Sequence, residues 1–315
     1  MDLSLFRVSG PTVISFSGGR TSGMLLRLTL DAHGGTLPDD CHVGFANTVK
    51  ERDETLRLVD ECSRRWGVPI HWVERAGRNL HREVTYETAS RNGEPFAALI
   101  RERRFLPHAL ARFCTVELKL LIVRALMLSL RYSEWANVVG LRADEAPRVA
   151  KLAARNDLGE QEWTSMWPLY SAMITKGDVL SFWRAQCFDL ALRPGESNCD
   201  HCFLRGRRSA ERLIRERPEG VEWWAQMETE IGGRFRRDEP QGYRGMVDRV
   251  RRLPVVSALP LDLDADDGLA ACGCTDRRPA RPTPMRAALV PCTCGAFAGQ
   301  GHALRCDRVM GEVAA

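Results

Sequence analysis

Residues 13–24 constrain the fold more than any other stretch of the chain. A short apolar run with β character ends at Ser17, two glycines follow, and a periodic leucine-rich segment begins after Ser22. This order predicts a strand, a tight loop and the start of a helix. Gly18 and Gly19 allow a sharp turn with positive φ, and the helix directs the positive end of its dipole at the turn. Residues 17–22, here called the anion loop, therefore predict a site for a phosphate-sized anion.

The side chains of the anion loop add hydrogen-bond donors to those of the backbone. Hydroxyl groups are supplied by Ser17, Thr21 and Ser22, and Arg20 lies between them. The loop lacks the Gly-Lys-Ser/Thr ending of a Walker A motif and does not follow GxGxxG. An ordinary strand-to-helix connection is the alternative, but a position directly after a buried-looking strand favours a ligand site.

Strand and helix patterns alternate after the anion loop. We predict further strands at 41–47, 68–73 and 134–140 and an amphipathic helix at 53–66. Consecutive βαβ units predict an α/β fold with a doubly wound parallel sheet and right-handed crossovers. Ligands of such sheets bind at the carboxyl ends of the strands. We therefore expect Asn47, Thr48 and the 140–145 segment on the same edge as the anion loop.

Composition divides the chain into three parts. Residues 1–215 are predicted to form the nucleotide-binding domain, in which 75–112 is a charged insertion or lid with short helices. Residues 216–261 are predicted to be a helical extension. Residues 262–315 form a cysteine-containing tail, rich in Pro, Arg and Ala, whose composition predicts loose order.

Net charge excludes few partners. The chain has 45 basic and 41 acidic residues among 315, and its net charge is +4. Local arginine density is more informative, because such clusters form either solvated helix faces or contacts with a polyanion. The clusters consist of Arg101, Arg103, Arg104 and Arg112, and of Arg205, Arg207, Arg208, Arg212, Arg215 and Arg217.

No secretory leader and no membrane helix is predicted. No apolar run approaches the roughly 18 residues that a membrane span requires, so we expect a cytoplasmic protein without membrane contact. We therefore do not expect the eleven cysteines to form disulfides, and we examine their spacing for metal or redox chemistry.

A CxxC pair is the strongest cysteine pattern. Cys199 and Cys202 can direct two sulfurs at one metal or form a redox dithiol, and Cys114 at a helix start is the third candidate ligand. Three thiolates suit an iron–sulfur cluster or a structural zinc, whereas core packing remains the plain alternative. His201 inside the pair is a substitute ligand or a solvent-facing residue.

The other cysteines divide into three groups. Cys272 and Cys274 are candidates for a fourth ligand or a mobile nucleophile. A separate small zinc knot is one reading of Cys292, Cys294 and Cys306. The remaining three lie in apolar segments and are most simply core residues: Cys41, Cys62 and Cys187.

The motifs together resemble one family. The anion loop looks like the PP-loop of the ATP-pyrophosphatase superfamily, and specifically that of the phosphoadenosine phosphosulfate (PAPS) reductase family. The similarity extends, in chain order, over Asn47-Thr48 with Glu54-Thr55, Arg112 to Thr115 with Leu118-Lys119, Gly140 to Glu145 (Gly-Leu-Arg-Ala-Asp-Glu), and Asn198 to Gly206. It covers approximately residues 10–210.

The resemblance implies a Rossmann-like, adenine nucleotide α-hydrolase-like fold with helical C-terminal additions. It implies that the anion loop holds the phosphates of PAPS, of adenosine phosphosulfate (APS) or of ATP with Mg. Asn47 and Thr48 would lie near the adenosine, and the anionic group would contact Gly140, Arg142 and Asp144. A 4Fe–4S cluster would be ligated by Cys114, Cys199 and Cys202.

Sulfonucleotide reductase chemistry would proceed through a thiolate that attacks the sulfur of the nucleotide. The S-sulfocysteine would release sulfite on reduction by a thioredoxin-like partner, and the catalytic candidates are Cys274 and Cys272. A homodimer is a further expected partnership. Three features depart from the family: Phe113 precedes Cys114 where cluster-containing reductases have two cysteines, Thr21 replaces an acidic loop residue, and the Glu-Cys-Gly-Leu-His motif is absent.

These departures keep other functions open. The same loop serves enzymes that adenylate a nucleic acid and insert sulfur, as in tRNA thiolation or DNA phosphorothioation, and the arginine clusters suit such a substrate. A third reading is a non-enzymatic module that senses a nucleotide and a cluster. The flavin-adenine dinucleotide synthetase branch shares the loop but would not need the cysteines.

Overall fold

A mixed sheet of six strands organises the protein. The computed structural model describes residues 2–193 and 196–252, and within them the strands follow the order β4-β3-β2-β1-β5-β6. The strands are β1 Thr12–Ser15, β2 Cys41–Ala46, β3 His71–Gly77, β4 Leu80–Val84, β5 Trp135–Val139 and β6 Trp163–Met166.

Helices connect these strands and continue beyond them. A π-helical turn, Val116–Leu120, joins the fourth helix to the fifth. The helices are α1 Arg20–Ala32, α2 Asp53–Trp66, α3 Glu94–Arg103, α4 Phe113–Thr115, α5 Leu121–Ser129, α6 Ala146–Leu158, α7 Pro168–Ser171, α8 Lys176–Arg184, α9 Arg207–Glu216, α10 Glu222–Ile231 and α11 Gly242–Arg252.

The strand pairing confirms the predicted α/β, Rossmann-like fold. β1 pairs in parallel with β2 on one side and with β5 on the other, so the winding direction reverses at β1. Parallel pairing extends to β3 and β6, whereas β4 is an antiparallel edge strand that forms a hairpin with β3. The crevice at the carboxyl end of β1 is therefore the switch point at which such folds bind ligands.

Separate apolar clusters cover the two faces of the sheet. Alternate residues of β1 point to opposite sides: Ile14 packs with α1 and α2, and Val13 packs with α5. Val43 and Phe45 of β2 extend the first cluster. These clusters fix β1, and with it the anion loop that follows, relative to the helices.

A third cluster joins α3 to the C-terminal helices. Phe96 and Ile100 of α3 pack with Trp224 of α10 and Met246 of α11. The 75–112 insertion and residues on both sides of position 215 thus share one apolar core, to which Phe203 of the cysteine segment also belongs. Among the described residues, no helix combines the length and apolar character needed to cross a bilayer.

Candidate functional site

Ser22 closes the anion loop. Its hydroxyl donates to the carbonyl of Gly19 (3.0 Å), accepts from the amide of Ser17 (3.2 Å) and lies 3.0 Å from the Ser17 hydroxyl. Gly19 is the N-cap of α1 and has no side chain with which to cap it. Because the first turn of a helix has amides without intrahelical partners, this end of α1 is suited to an anion.

The two glycines of the loop serve different purposes. Gly18 has φ +70°, and a Cβ on it would lie 2.6 Å from Cγ2 of Thr55. Gly19 is extended, with φ −101° and ψ 162°, so the expectation of positive φ is correct for Gly18 and wrong for Gly19. At Gly19 a Cβ would lie 3.3 Å from Nδ2 of Asn198, so this glycine makes room for a neighbouring side chain.

The predicted 140–145 segment lies beside the loop. A Cβ on Gly140 would lie 3.3 Å from both Cα and the amide nitrogen of Ser22, so the backbone after β5 packs directly on the first turn of α1. Arg142 donates through Nη1 to the hydroxyl of Thr21 (3.1 Å), and its Nη2 pairs with Asp144 (2.9 Å). The structure therefore brings a guanidinium to the edge of the loop, where Asp144 orients it.

Arg20 faces away from the anion position. Its guanidinium forms a two-point ion pair with Asp189 (2.7 and 2.9 Å) and donates to the carbonyl of Leu190. The Arg20 carbonyl accepts from Nε1 of Trp183 (2.7 Å). The side chain fastens the start of α1 to the segment after α8, and only its backbone amide is left for a ligand.

Asn47 and Thr48 lie at the end of β2 but use their donors inside the protein. The Asn47 amide donates to Oε1 of Glu74 (2.7 Å) and to the carbonyl of Ser90 (2.9 Å). The Thr48 hydroxyl donates to Oε1 of Glu51 (2.8 Å). These side chains therefore stabilise the chain that follows β2, while a contact with adenosine stays a prediction.

The cysteine segment, residues 198–202, lies directly against the anion loop. Nδ2 of Asn198 donates to the carbonyl of Ser17 (2.8 Å). The backbone of the segment is anchored on the residues after β2: the Asn198 carbonyl accepts from the Arg52 amide (2.7 Å), and the Asp200 amide donates to the Lys50 carbonyl (2.7 Å). The backbone that carries the CxxC pair is therefore held beside the anion loop.

The pKa values of the three candidate cysteines depend on one another and on burial. The hydrogen bond between the two thiols of the pair lowers the pKa of Cys202 and raises that of Cys199. Burial raises the pKa of Cys114, and the nearby Cys202 raises it further. Such a donor set fits an iron–sulfur cluster or zinc. Within residues 2–193 and 196–252, however, no three His, Cys, Asp or Glu side chains already stand as a metal site.

Lys119 and Glu51 form an ion pair between the cysteines and the loop. Lys119 Nζ lies 3.2 Å from Oε1 of Glu51, whose side chain is fully buried while that of Lys119 is 37% exposed. Although burial opposes it, the carboxylate of Glu51 raises the pKa of Lys119, and the thiols of Cys199 and Cys114 act in the same direction. Oε2 of Glu51 is buried without a hydrogen-bond partner.

A cavity of about 160 Å³ extends from the anion loop along the α5 face of the sheet. Ser17 and Lys119 line it, together with apolar side chains such as Val123 of α5. Ser15 and Asn137 also line it, and the Ser15 hydroxyl donates to Oδ1 of Asn137 (2.7 Å). This hydrogen bond does not use the NH₂ group of Asn137. The cavity combines apolar walls with a few polar groups, as small-molecule sites do.

His201 and the arginine clusters have structural partners. His201 is buried rather than solvent-facing, burial lowers its pKa to about 4, and its Nε2 lies 3.0 Å from the carbonyl of Arg217. Members of both arginine clusters are ion-paired: Arg101 with Glu230, Arg103 with Glu117, Arg207 with Glu211 and Arg217 with Glu54. The clusters thus include many internal ion pairs, which weakens the expectation of a polyanion-binding face.

Some predicted residues fall outside the described part, and some residues of the site were not predicted. Cys272 and Cys274 lie outside the described residues, as do Cys292, Cys294 and Cys306.

Sequence reasoning did not assign Asn198, although it directly precedes the CxxC pair, nor Asn137, a polar residue within a buried strand. Glu51 and Lys119 were missed as a pair because only the fold brings them together.

Curated relatives and solved structures are similar to this chain. An uncharacterized nin-region protein of Escherichia phage lambda is 27% identical over 213 residues, which are 61% of this chain and 66% of that protein. An uncharacterized protein of Methanocaldococcus jannaschii is 35% identical over 78 residues, 25% of this chain and 15% of that protein. The chain thus spans less than two thirds of the length of either relative.

One of the similar solved structures is a tRNA thiolase of Methanococcus maripaludis with its 4Fe–4S cluster. It is 12% identical, with a TM-score of 0.36, over 79% of this chain and 73% of the thiolase. The phosphoadenosine phosphosulfate reductase domain matches residues 11–190, from the start of β1 to the segment that follows α8. Because this match comprises more than half of the 315 residues, the chain belongs to the phosphoadenosine phosphosulfate reductase domain family.

Proposed function

We propose that this protein is an enzyme that binds an adenine nucleotide at the anion loop and carries out sulfur chemistry at the cysteines beside it. The observation that carries the proposal is the hydrogen bond from Asn198, the residue before Cys199, to the carbonyl of Ser17 (2.8 Å). It joins the anion loop to a thiol pair. A nucleotide whose phosphate end occupies the loop would therefore present that end to the sulfurs.

The remaining contacts support the same placement of the nucleotide. The amides of the first turn of α1 suit the phosphate or sulfate end, and Arg142 stands at its edge. The cavity beside Ser17 suits the adenine ring, because it offers apolar walls and the amide of Asn137. A Mg²⁺ ion would accompany ATP in this arrangement.

The three cysteines would hold a 4Fe–4S cluster. Their thiol chemistry fits such a cluster, and the cations Lys119, Arg112 and Arg205 act electrostatically on them, which suits the negative charge of thiolate ligands. The cluster would supply a sulfur-binding and redox-active centre next to the nucleotide. Lys119 would neutralise negative charge between the two, since it lines the cavity and interacts with the thiols.

The substrate is PAPS or APS in the first reading, with a thioredoxin-like protein as reductant. ATP-dependent sulfur insertion into a nucleic acid is the second, and the absence of a Glu-Cys-Gly-Leu-His nucleophile motif favours it. Isothermal titration of the anaerobically purified protein with ATP and with PAPS separates the two. We expect one of them to bind; tight ATP binding without PAPS binding would move the assignment to the second reading, and binding of neither would contradict the proposal.

We expect the protein purified without oxygen to contain iron and acid-labile sulfide. Each of Cys114→Ala, Cys199→Ala and Cys202→Ala should lose the visible chromophore and most of the iron, because a cluster that loses one of three protein ligands is poorly held. Cys187→Ala is the matched control, since this half-buried thiol packs on the apolar cluster that contains Ile14 of β1. The substitution should leave the iron content unchanged. A colourless protein loaded with zinc would rule out the cluster.

A further inference from the structure

Asn198 occupies the space that Gly19 leaves open. A Cβ on Gly19 would have Nδ2 of Asn198 at 3.3 Å and its Oδ1 at 3.8 Å. The backbone of Gly19 is extended, a conformation that any residue adopts. A side chain at this position would therefore press on the Asn198 amide, which would have to move by a few tenths of an ångström.

The same amide fixes the direction of a loop carbonyl. Nδ2 of Asn198 donates to the carbonyl oxygen of Ser17, which would repel a phosphate if it faced the bound anion, because both are hydrogen-bond acceptors. With this oxygen held toward the cysteine segment, the amides of the first turn of α1 are left to face the anion.

Asn198 is itself held in place by the backbone around it. Its carbonyl accepts from the amide of Arg52 (2.7 Å), and two residues later the amide of Asp200 donates to the carbonyl of Lys50 (2.7 Å). Between these bonds Glu51 and Cys199 form an antiparallel bridge. The side chain that orients the loop is thus attached to the backbone that carries the thiol pair.

We propose that Asn198 is a positioning residue for the phosphate end of the nucleotide. It acts through the Ser17 carbonyl, and it sets the distance between the anion and the cysteines. The inference rests on nucleotide binding at the anion loop, as proposed above. It predicts that Asn198 contributes to the binding of the phosphates and not to that of the adenosine.

The test compares the affinities of a phosphate-bearing and a phosphate-free ligand for the full chain purified without oxygen. Isothermal titration would use ATP or PAPS, whichever the wild-type protein binds, and adenosine in competition with it. We expect Asn198→Ala to lower the affinity for the nucleotide about 10-fold and to change the affinity for adenosine about 2-fold or less. The reason is that a hydrogen bond that supports binding of the charged ligand is lost. Asn198→Asp keeps the shape but cannot donate to Ser17, so it should weaken the nucleotide further.

Asn156→Ala is the matched control. The Asn156 side chain also forms hydrogen bonds with backbone, at the amide and carbonyl of Ser165 (both 2.9 Å). Ser165 belongs to β6, the edge strand of the sheet. This variant should lower the melting temperature without changing either affinity. If Asn198→Ala lowered the affinities for nucleotide and adenosine equally, the role of Asn198 would be merely structural and the inference would be overturned. An unchanged affinity for the nucleotide would also overturn it. A wild-type protein that binds no nucleotide would instead defeat the proposed function.

Discussion

Gly18→Ala is expected to weaken nucleotide binding at least about 100-fold, whereas Gly34→Ala leaves it intact. Both glycines have positive φ, +70° and +69°, but the surroundings differ: a Cβ on Gly18 would lie 2.6 Å from Cγ2 of Thr55 and 3.0 Å from Cγ2 of Val59, and one on Gly34 would meet nothing within 4 Å. The pair therefore separates the cost of backbone conformation from the cost of the collision.

The control substitution should cost about 1–2 kcal/mol, the strain of a left-handed conformation for an L-residue. At Gly18 we expect a further cost of about 1–3 kcal/mol, because α2 packs tightly there and one side must shift. A shift of the loop would misplace the amides that bind the phosphates, so the affinity should fall at least about 100-fold.

Chemical denaturation measures the first effect and isothermal titration the second. Equal stabilities of the two variants would show that α2 accommodates the methyl group, and a Gly18→Ala protein that binds nucleotide normally would show that the loop is not the phosphate site. Both outcomes are readable in folded protein, since the summed cost of about 2–5 kcal/mol does not exceed the stability of a typical domain, about 5–15 kcal/mol.

The centre of the fold was predictable because its signals are local. The strand, glycines and helix of residues 13–32 follow one another along the chain, and β2 and α2 repeat the pattern. The edge strands gave weaker signals. β4 is largely exposed and carries charged residues, and only one of the four residues of β6 is buried, so neither shows the continuous apolar run of a buried strand.

The partners of individual site residues were not predictable, because they depend on long-range contacts. Asn47 resembles a ligand-binding residue in sequence, but Glu74 and Ser90 use both hydrogens of its amide. Arg20 lies within the loop motif and pairs with Asp189, far along the chain. A motif specifies where a side chain starts, and the fold decides what it reaches.

The same limit applies to the cysteines and arginines. Spacing identified Cys199 and Cys202 as a pair, but the anchoring of their backbone on Lys50 and Arg52 came only from the structure. Arginine clusters suggested a polyanion in sequence, whereas Arg101 and Arg103 pair with glutamates of α10 and of the π-helical turn. Charge density alone does not distinguish a binding face from a network of ion pairs.

Lys119→Met is expected to lower both the stability of the protein and its affinity for nucleotide. The two effects have separate mechanisms, which a second substitution can distinguish. Removal of the ammonium leaves the fully buried Glu51 without the cation that lies 3.2 Å away. We expect a loss of about 1–3 kcal/mol, less than for a completely buried pair because Lys119 is partly exposed. It also removes a positive charge from the cavity beside Ser17, so the affinity for ATP or PAPS should fall about 10–100-fold.

Glu51→Gln separates these effects. The single variant keeps the charge of Lys119 and should bind nucleotide as well as the wild-type protein. In the double variant, Lys119→Met with Glu51→Gln, no unpaired carboxylate remains, so stability should recover while the affinity stays low. Denaturation and titration of all four proteins complete the cycle. Recovery of affinity along with stability would show that Lys119 acts only by neutralising Glu51, and the charge between the nucleotide and the cysteines would then have to come from Arg112 or Arg205.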